Sequence, residues 1–290
     1  MRRGEHGGDW AAYQIQYHGM PLDFSANVSP MGIPAGVKRA LYQAVEEVNR
    51  YPDPLCRQLR ACLGRHHDVS SAQILCGNGA SDLIDRLVLA LRPKRGMVTA
   101  PAFSEYGQAL RRVGCQVEEF PLQRAEDFRM TARILERITP ALDILFLCEP
   151  SNPAGQTTDR ALLEKILERC DACGVLLVVD ECFEEFLLDR SHSMVSNLTG
   201  HHLLILRAFT KFYGLAGVRL GYCLCQEETL LEQMRLAGQP WPVSHLAQAA
   251  GMAALEETVY GDQLRAWTRR RREALRLALT QLGCDVVPGQ

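Results

Sequence analysis

The stretch "HLLILRAFTKFYGLAGVRLGYCLC", His202 to Cys225, decides how the chain folds. Two continuous apolar runs flank a turn that contains Lys211, Gly214 and Gly217. Short unbroken apolar runs bounded by turn residues read as strands buried on both faces. Lys211 comes just after the first run, where an ammonium is costly unless it is paired or shifted toward neutrality. Arg219 follows eight residues later, at the start of the second run. The stretch therefore supplies two buried strands with an amine and a guanidinium between them.

Upstream, the same kind of run alternates with amphipathic segments. "ILCGNGA", "GMVTAP", "CQVEEFPL", "LDILFLCEP" and "VLLVVDE" read as strands, and with the two runs above they make seven. "SDLIDRLVLALRP", "SEYGQALRRVG", "TARILERI" and "TDRALLEKILERCDACG" read as the helices between them. This alternation predicts an α/β fold: a mostly parallel seven-stranded sheet sandwiched by helices. Two further helices, "AGVKRALYQAVEEV" and "PLCRQLRACLGRHH", come before the first strand, and the first 35 residues read as an irregular arm. Beyond Gln226 the pattern is helical: "ETLLEQMRLAG", then a long stretch from Ser244 to about Gly283, interrupted near Tyr260 and Gly261.

In open sheets of this kind ligands bind beyond the carboxyl ends of the strands. Reading those ends together collects a set of polar residues. A neutral lysine in a cleft is a nucleophile suited to a Schiff base with an aldehyde, and Lys211 fits that part. Asp180 ends the run "VLLVVD" and is poorly placed for packing; a pyridinium nitrogen would give it a cationic partner. Arg219 offers a forked donor for a phosphate, and "GNGAS", Gly77 to Ser81, adds backbone N–H groups at a helix start. Asn152 in "EPSNPAG" could be a plain turn residue or a donor to a phenolate oxygen on the same ring. Phe103 in "PAFSEY" could be core or could stack on that ring.

Bulk properties narrow the classes. The 290 residues are 47% hydrophobic and 23% charged, with a formal charge of −2, which gives no attraction to nucleic acid or to a membrane. The basic run Arg269 to Arg272 lies in a helical pattern and reads as a solvated face. The 11 cysteines are odd in number and irregular in spacing, the pattern of reduced thiols in a cytoplasmic protein. Cys170 and Cys173 form a C-x-x-C with no second pair, so no metal is expected. No run is long and apolar enough to span a membrane, and the first ten residues are not a secretory signal.

Taken in order, "SNPAG", "DECFEEF" and "TKFYGLAGVRLGY" resemble the cofactor motifs of pyridoxal-5′-phosphate enzymes of fold type I, the aspartate aminotransferase superfamily. The likeness runs from about residue 5 to the end. It implies that Lys211 is the catalytic lysine joined to the cofactor, that Asp180 pairs with the ring nitrogen, and that Asn152 contacts the ring hydroxyl. Phe103 would stack on the ring. Arg219, Ala80 and Ser81 would hold the phosphate, with Gly79 and Thr210 also in the binding set. Tyr51 in "RYPDP", by itself an ordinary turn aromatic, matches a tyrosine that reaches the phosphate of the neighbouring subunit, so a homodimer with shared active sites is implied.

The branch resembled contains histidinol-phosphate aminotransferases and threonine-phosphate decarboxylases. The arm "HGGD…DFSANVSPMGIP" and Phe183, where aminotransferases carry a tyrosine, are similar to the decarboxylases. The implied reaction is decarboxylation of L-threonine O-3-phosphate to (R)-1-amino-2-propanol O-2-phosphate, a step in cobalamin biosynthesis. His6 and Asn27 are the candidates for the substrate phosphate. A histidinol-phosphate-type aminotransferase and a non-catalytic cofactor-binding remnant are the alternatives. The resemblance divides the chain into an arm (1–35), a large cofactor domain (36–255) and the start of a small C-terminal domain (256–290). That last part reads as truncated, with "CDVVPGQ" as a beginning strand. No arginine matching the family's carboxylate clamp is visible, and Ala208 stands where Ser or Thr is often found.

Overall fold

The computed structural model describes residues 7–289. Seven strands form one sheet: β1 (Ile74–Gly77), β2 (Arg95–Ala100), β3 (Gln116–Pro121), β4 (Ile144–Cys148), β5 (Leu176–Asp180), β6 (Leu203–Ala208) and β7 (Gly221–Cys225). Their spatial order is β1-β7-β6-β5-β4-β2-β3. The pairs β6–β5, β5–β4, β4–β2 and β2–β3 are parallel, while β7 runs antiparallel to both β6 and β1. The mostly parallel seven-stranded sheet expected from the sequence is therefore present.

Ten α-helices accompany it: α1 (Trp10–Tyr17), α2 (Ala35–Val45), α3 (Arg57–His67), α4 (Ala80–Leu91), α5 (Ser104–Arg112), α6 (Ile134–Arg137), α7 (Arg160–Cys173), α8 (Glu228–Leu236), α9 (His245–Leu255) and α10 (Thr258–Gln281). Their ends follow local chemistry. Asp159 caps α7 by accepting from Leu162 N, and Gly174 closes it at φ 70°. Ser244 caps α9 by accepting from Ala247 N.

The strands alternate between two cores. Leu177, Val179, Leu145, Leu147, Leu203 and Ile205 face a core built with α3, α7 and α9. Leu176, Val178, Ile144, Phe146, Leu204 and Leu206 face a second one built with α4, α5 and α8. Both faces are covered, so β4 and β5 are apolar at every position before Asp180, and all ten of their residues are buried.

Four local expectations are corrected. The arm is not wholly irregular: Asp9 accepts from Ala12 N and starts the eight-residue α1, none of whose side chains is buried. With no apolar face packed, periodicity carried no signal there. The last strand starts at Gly221 rather than Val218, because Arg219 has φ 61° and cannot extend the ladder. The break in the C-terminal helices falls at Glu256 and Glu257; Tyr260 and Gly261 lie inside α10. Residues 284–289 form no strand; Arg124 is paired with Asp285, and Gln156 Nε2 donates to the Pro288 carbonyl.

Candidate active site

Because β7 alone among the described strands is reversed, one edge of the sheet holds the carboxyl ends of six strands and the amino end of β7. Gly77 and Ala208 both pair with Gly221, and Cys148 pairs with Asp180. That register gathers the glycine turn, Lys211, Arg219, Asn152 and Asp180 on a single edge, although they are spread over more than a hundred residues of chain.

Asp180 is only 5% exposed. Its Oδ1 accepts from Cys182 N (2.9 Å) and its Oδ2 from the Tyr106 hydroxyl (2.6 Å). It forms no ion pair among the described residues, so a buried carboxylate is oriented by two donors and left with acceptor capacity for a cation. Tyr106 is 1% exposed, stacks on Phe146 at 5.1 Å and meets the Phe103 ring edge-on at 5.5 Å. Burial, then the Asp180 charge, pushes the Tyr106 phenol well above its ordinary range, so it stays a donor.

Lys211 is half-buried, three residues past β6. Burial is the main cause lowering its ammonium pKa; Cys182 and Asp180 oppose the shift and Arg219 adds to it. Its carbonyl accepts from Ser29 N (2.9 Å), and Gly214 (φ 67°) lies against the Gly32 backbone, so the arm braces the lysine turn. Tyr260 of α10 completes the brace: its hydroxyl is 2.6 Å from Ser29 Oγ and donates to the Gly32 carbonyl at 2.9 Å.

Lys211 Nζ stands 5.8 Å from the centre of the Phe183 ring. Phe183 lies in the chain between Glu181 and Glu184, two members of a buried ionic cluster. Arg207 donates to Glu181, to Glu184 (3.0 Å) and to Ser193 Oγ (2.9 Å). The terminal nitrogens of Arg207 are engaged while its Nε has no partner among the described residues, and the ion pairs to Glu181 and Glu184 tether the segment carrying Phe183.

The anion end of the site is built at α4. Gly79, at φ 84° and ψ 167°, occupies the N-cap position, and a Cβ there would come 2.7 Å from Arg219 Nη2. A Cβ on Gly221 would meet Ala80 N at 2.6 Å. Two glycines are thus required for Arg219 and the free N–H groups of Ala80 and Ser81 to share one place. Asp82 ties the turn by accepting from Asn78 N (2.8 Å) and from Arg86 Nε (2.9 Å). Ser81 lies in the first turn of α4, not at its N-cap. Thr210 is half-buried beside Lys211.

A cavity of about 350 Å³ adjoins this edge and is lined by Asn27, Asn152, Phe183, Trp267 and Thr268 among others. It brings Asn27 from the arm to Asn152 after β4. His6 lies outside the described residues. Tyr51 is not part of its own chain's site: it is 80% exposed and stacks on Trp241 at 4.6 Å. Sequence reasoning gave no role to Tyr106, Trp267 or Thr268. Tyr106 had a usable signal, since a tyrosine on the apolar face of α5 needs a partner for its hydroxyl.

The parts fit pyridoxal phosphate: an uncompensated buried carboxylate for a ring nitrogen, an amine of lowered basicity, and a glycine cradle at a helix start beside a guanidinium. Residues 20–290 match the family described as aminotransferase class I and II. The threonine-phosphate decarboxylase of Salmonella typhimurium is 38% identical over 270 residues, covering 93% of this chain and 74% of that protein. A histidinol-phosphate aminotransferase of Bacillus subtilis is 33% identical, covering 82% of this chain and 67% of the relative. Among solved structures, a single mutant of Thermus thermophilus aspartate aminotransferase superposes with a TM-score of 0.84 at 26% identity, covering 91% of this chain and 74% of that one.

Proposed function

This chain belongs to the class I and II aminotransferase family, and from that premise we propose that it is a pyridoxal-phosphate-dependent decarboxylase of L-threonine O-3-phosphate. The observation that carries the reading is the placement of Lys211, Asp180 and the Gly79–Arg219 cradle on one sheet edge. The substrate follows from the likeness to threonine-phosphate decarboxylase across 93% of the chain.

When bound, the cofactor supplies an electron sink for the pair released from the substrate Cα. The chain's own residues do the rest. Arg219 and the N–H groups of Ala80 and Ser81 hold the phosphate, with Gly79 leaving the space and Thr210 at the rim. Asp180 keeps the proton on the ring nitrogen, and Tyr106 and Cys182 N keep Asp180 in place. Asn152 donates to the ring oxygen, and Phe103 covers one face of the ring. Phe183 has no hydroxyl to add to that oxygen. Lys211 would hold the cofactor and would supply the proton returned to the substrate Cα. Asn27, sharing a cavity with Asn152, takes the substrate phosphate, and His6 is assigned the same task from sequence alone.

The working unit is a homodimer in which Tyr51 reaches the neighbouring cofactor phosphate. Tyr51 and Tyr42, 80% and 78% exposed, support a surface awaiting a second copy. The cytoplasm is the proposed location, supported by eleven free cysteines. No helix among the described residues is long and apolar enough to cross a membrane. Residues 36–255 form the proposed cofactor domain, and 256–290 are assigned to a proposed smaller one.

The test is incubation with L-threonine O-3-phosphate in the absence of any 2-oxo acid. Release of carbon dioxide is the expected result. Formation of glutamate from histidinol phosphate and 2-oxoglutarate, without carbon dioxide release, would replace this reading by the aminotransferase.

A further inference from the structure

A second cavity, of about 260 Å³, lies between α3, β1 and the segment after α8. Arg60, Arg86 and Arg235 line it together with apolar Leu55, Leu75 and Trp241, and no carboxylate lines it. Two of the arginines are partly engaged: Arg60 donates through Nε and Nη2 to the Ser71 carbonyl (2.9 and 2.6 Å), and Arg235 pairs with Glu232. Arg86 is different. It is 3% exposed, and its recorded bond is the one from Nε to Asp82 Oδ1. Its guanidinium is seated against Gly238, where a Cβ would fall 2.1 Å from Cζ.

A guanidinium carries five N–H donors, and the Nη1 and Nη2 groups of Arg86 are not among the fully buried unpartnered atoms, in keeping with its place in the cavity lining. Asp82 engages only the Nε donor of Arg86, and its other oxygen accepts from Asn78 N. Three guanidiniums beside a small, largely apolar cavity, two of them paired with Asp82 and Glu232, match a small oxyanion on an apolar body. We propose that this cavity binds a small organic phosphate monoester, at a site separate from the cofactor cradle. Asp82 links the two: it joins Arg86 to the Gly77–Gly79 turn, so an anion drawing on Arg86 changes how tightly that turn is held. The binding claim stands without the reaction assigned above; the link to the cradle rests on it.

Calorimetry with phenyl phosphate of the holoenzyme, its cofactor fixed to Lys211 by borohydride and free pyridoxal phosphate removed, tests the binding. One saturable site per chain is expected. Arg60→Gln and Arg235→Gln should each weaken it about tenfold, and Arg86→Gln should abolish it. If Arg86→Gln does not fold, the other two variants decide. No saturable binding at millimolar probe, or binding unchanged in both Arg60→Gln and Arg235→Gln, overturns the site. Calorimetry reads binding without turnover, so an inactive preparation leaves the answer legible. The rate of cofactor release from the unreduced holoenzyme, followed by its visible absorbance, should change when phenyl phosphate is added; an unchanged rate overturns the link through Asp82.

Discussion

The Tyr106 hydroxyl donates to Asp180 Oδ2 across 2.6 Å in the interior, joining the first turn of α5 to the end of a central strand. Tyr106→Phe removes that donor and keeps the ring packed on Phe146. Leaving a buried carboxylate oxygen short of a partner costs about 1–3 kcal/mol. Urea denaturation should show a loss of that size, and kcat should fall about tenfold as the carboxylate loses one of its two fixed donors. Full activity with unchanged stability would show that Tyr106 does not position Asp180.

Lys211 must lose a proton before it attacks a carbonyl carbon. Its pKa is lowered chiefly by burial, so the neutral amine is present at lower pH than for the ordinary lysine at 10.5. Cofactor attachment should therefore rise with pH with a midpoint below that value, read from visible absorbance. Arg219→Met removes a nearby positive charge that lowers this pKa, so the midpoint should move up. Lys211→Ala should leave no adduct that borohydride can fix.

Gly79 has φ 84° and faces the Arg219 guanidinium. Gly79→Ala places a methyl group in the left-handed region and against Nη2, displacing Arg219 from the cradle. Cofactor dissociation measured by equilibrium dialysis should weaken about tenfold or more, with a stability loss of about 1 kcal/mol.

Glu149 is buried at the end of β4 and accepts from Thr158 N (2.9 Å) and from its hydroxyl. Burial pushes its carboxyl up to about 7, against the Thr158 bonds that lower it. Between the unfolded value near 4.5 and about 7, the folded state holds the extra proton. Stability from this group is therefore present below 4.5 and is lost as pH rises through about 7. Glu149→Gln removes that loss. Its stability relative to the native chain should increase between pH 4.5 and 7 by up to about 3 kcal/mol; thermal melts across that range check the sign.

The site was legible in unequal parts. Lys211, Asp180 and Arg219 stood out because each is a charged residue directly beside a buried strand, a cost visible in the sequence itself. Arg207 gave the opposite lesson: it was assigned no role, yet it pairs with Glu181 and Glu184, which flank the segment carrying Phe183. Asn27 and Asn152 are 125 residues apart in the chain, and nothing local says that they share a cavity. The helix α1 was missed because it buries no side chain.

Alone, the sequence determined the seven strands, the helices packed on them and the parallel character of the sheet. Those depend on runs and periods of apolar residues, which are local. It also determined which residues carry costly charge. Only the tertiary structure decided the reversal of β7, the closure of Gly79 on Arg219, the bond from Tyr106 to Asp180 and the grouping of Arg60, Arg86 and Arg235 around one cavity. Each of these joins residues far apart in the chain. Their geometry follows from strand order and register, which no single segment specifies.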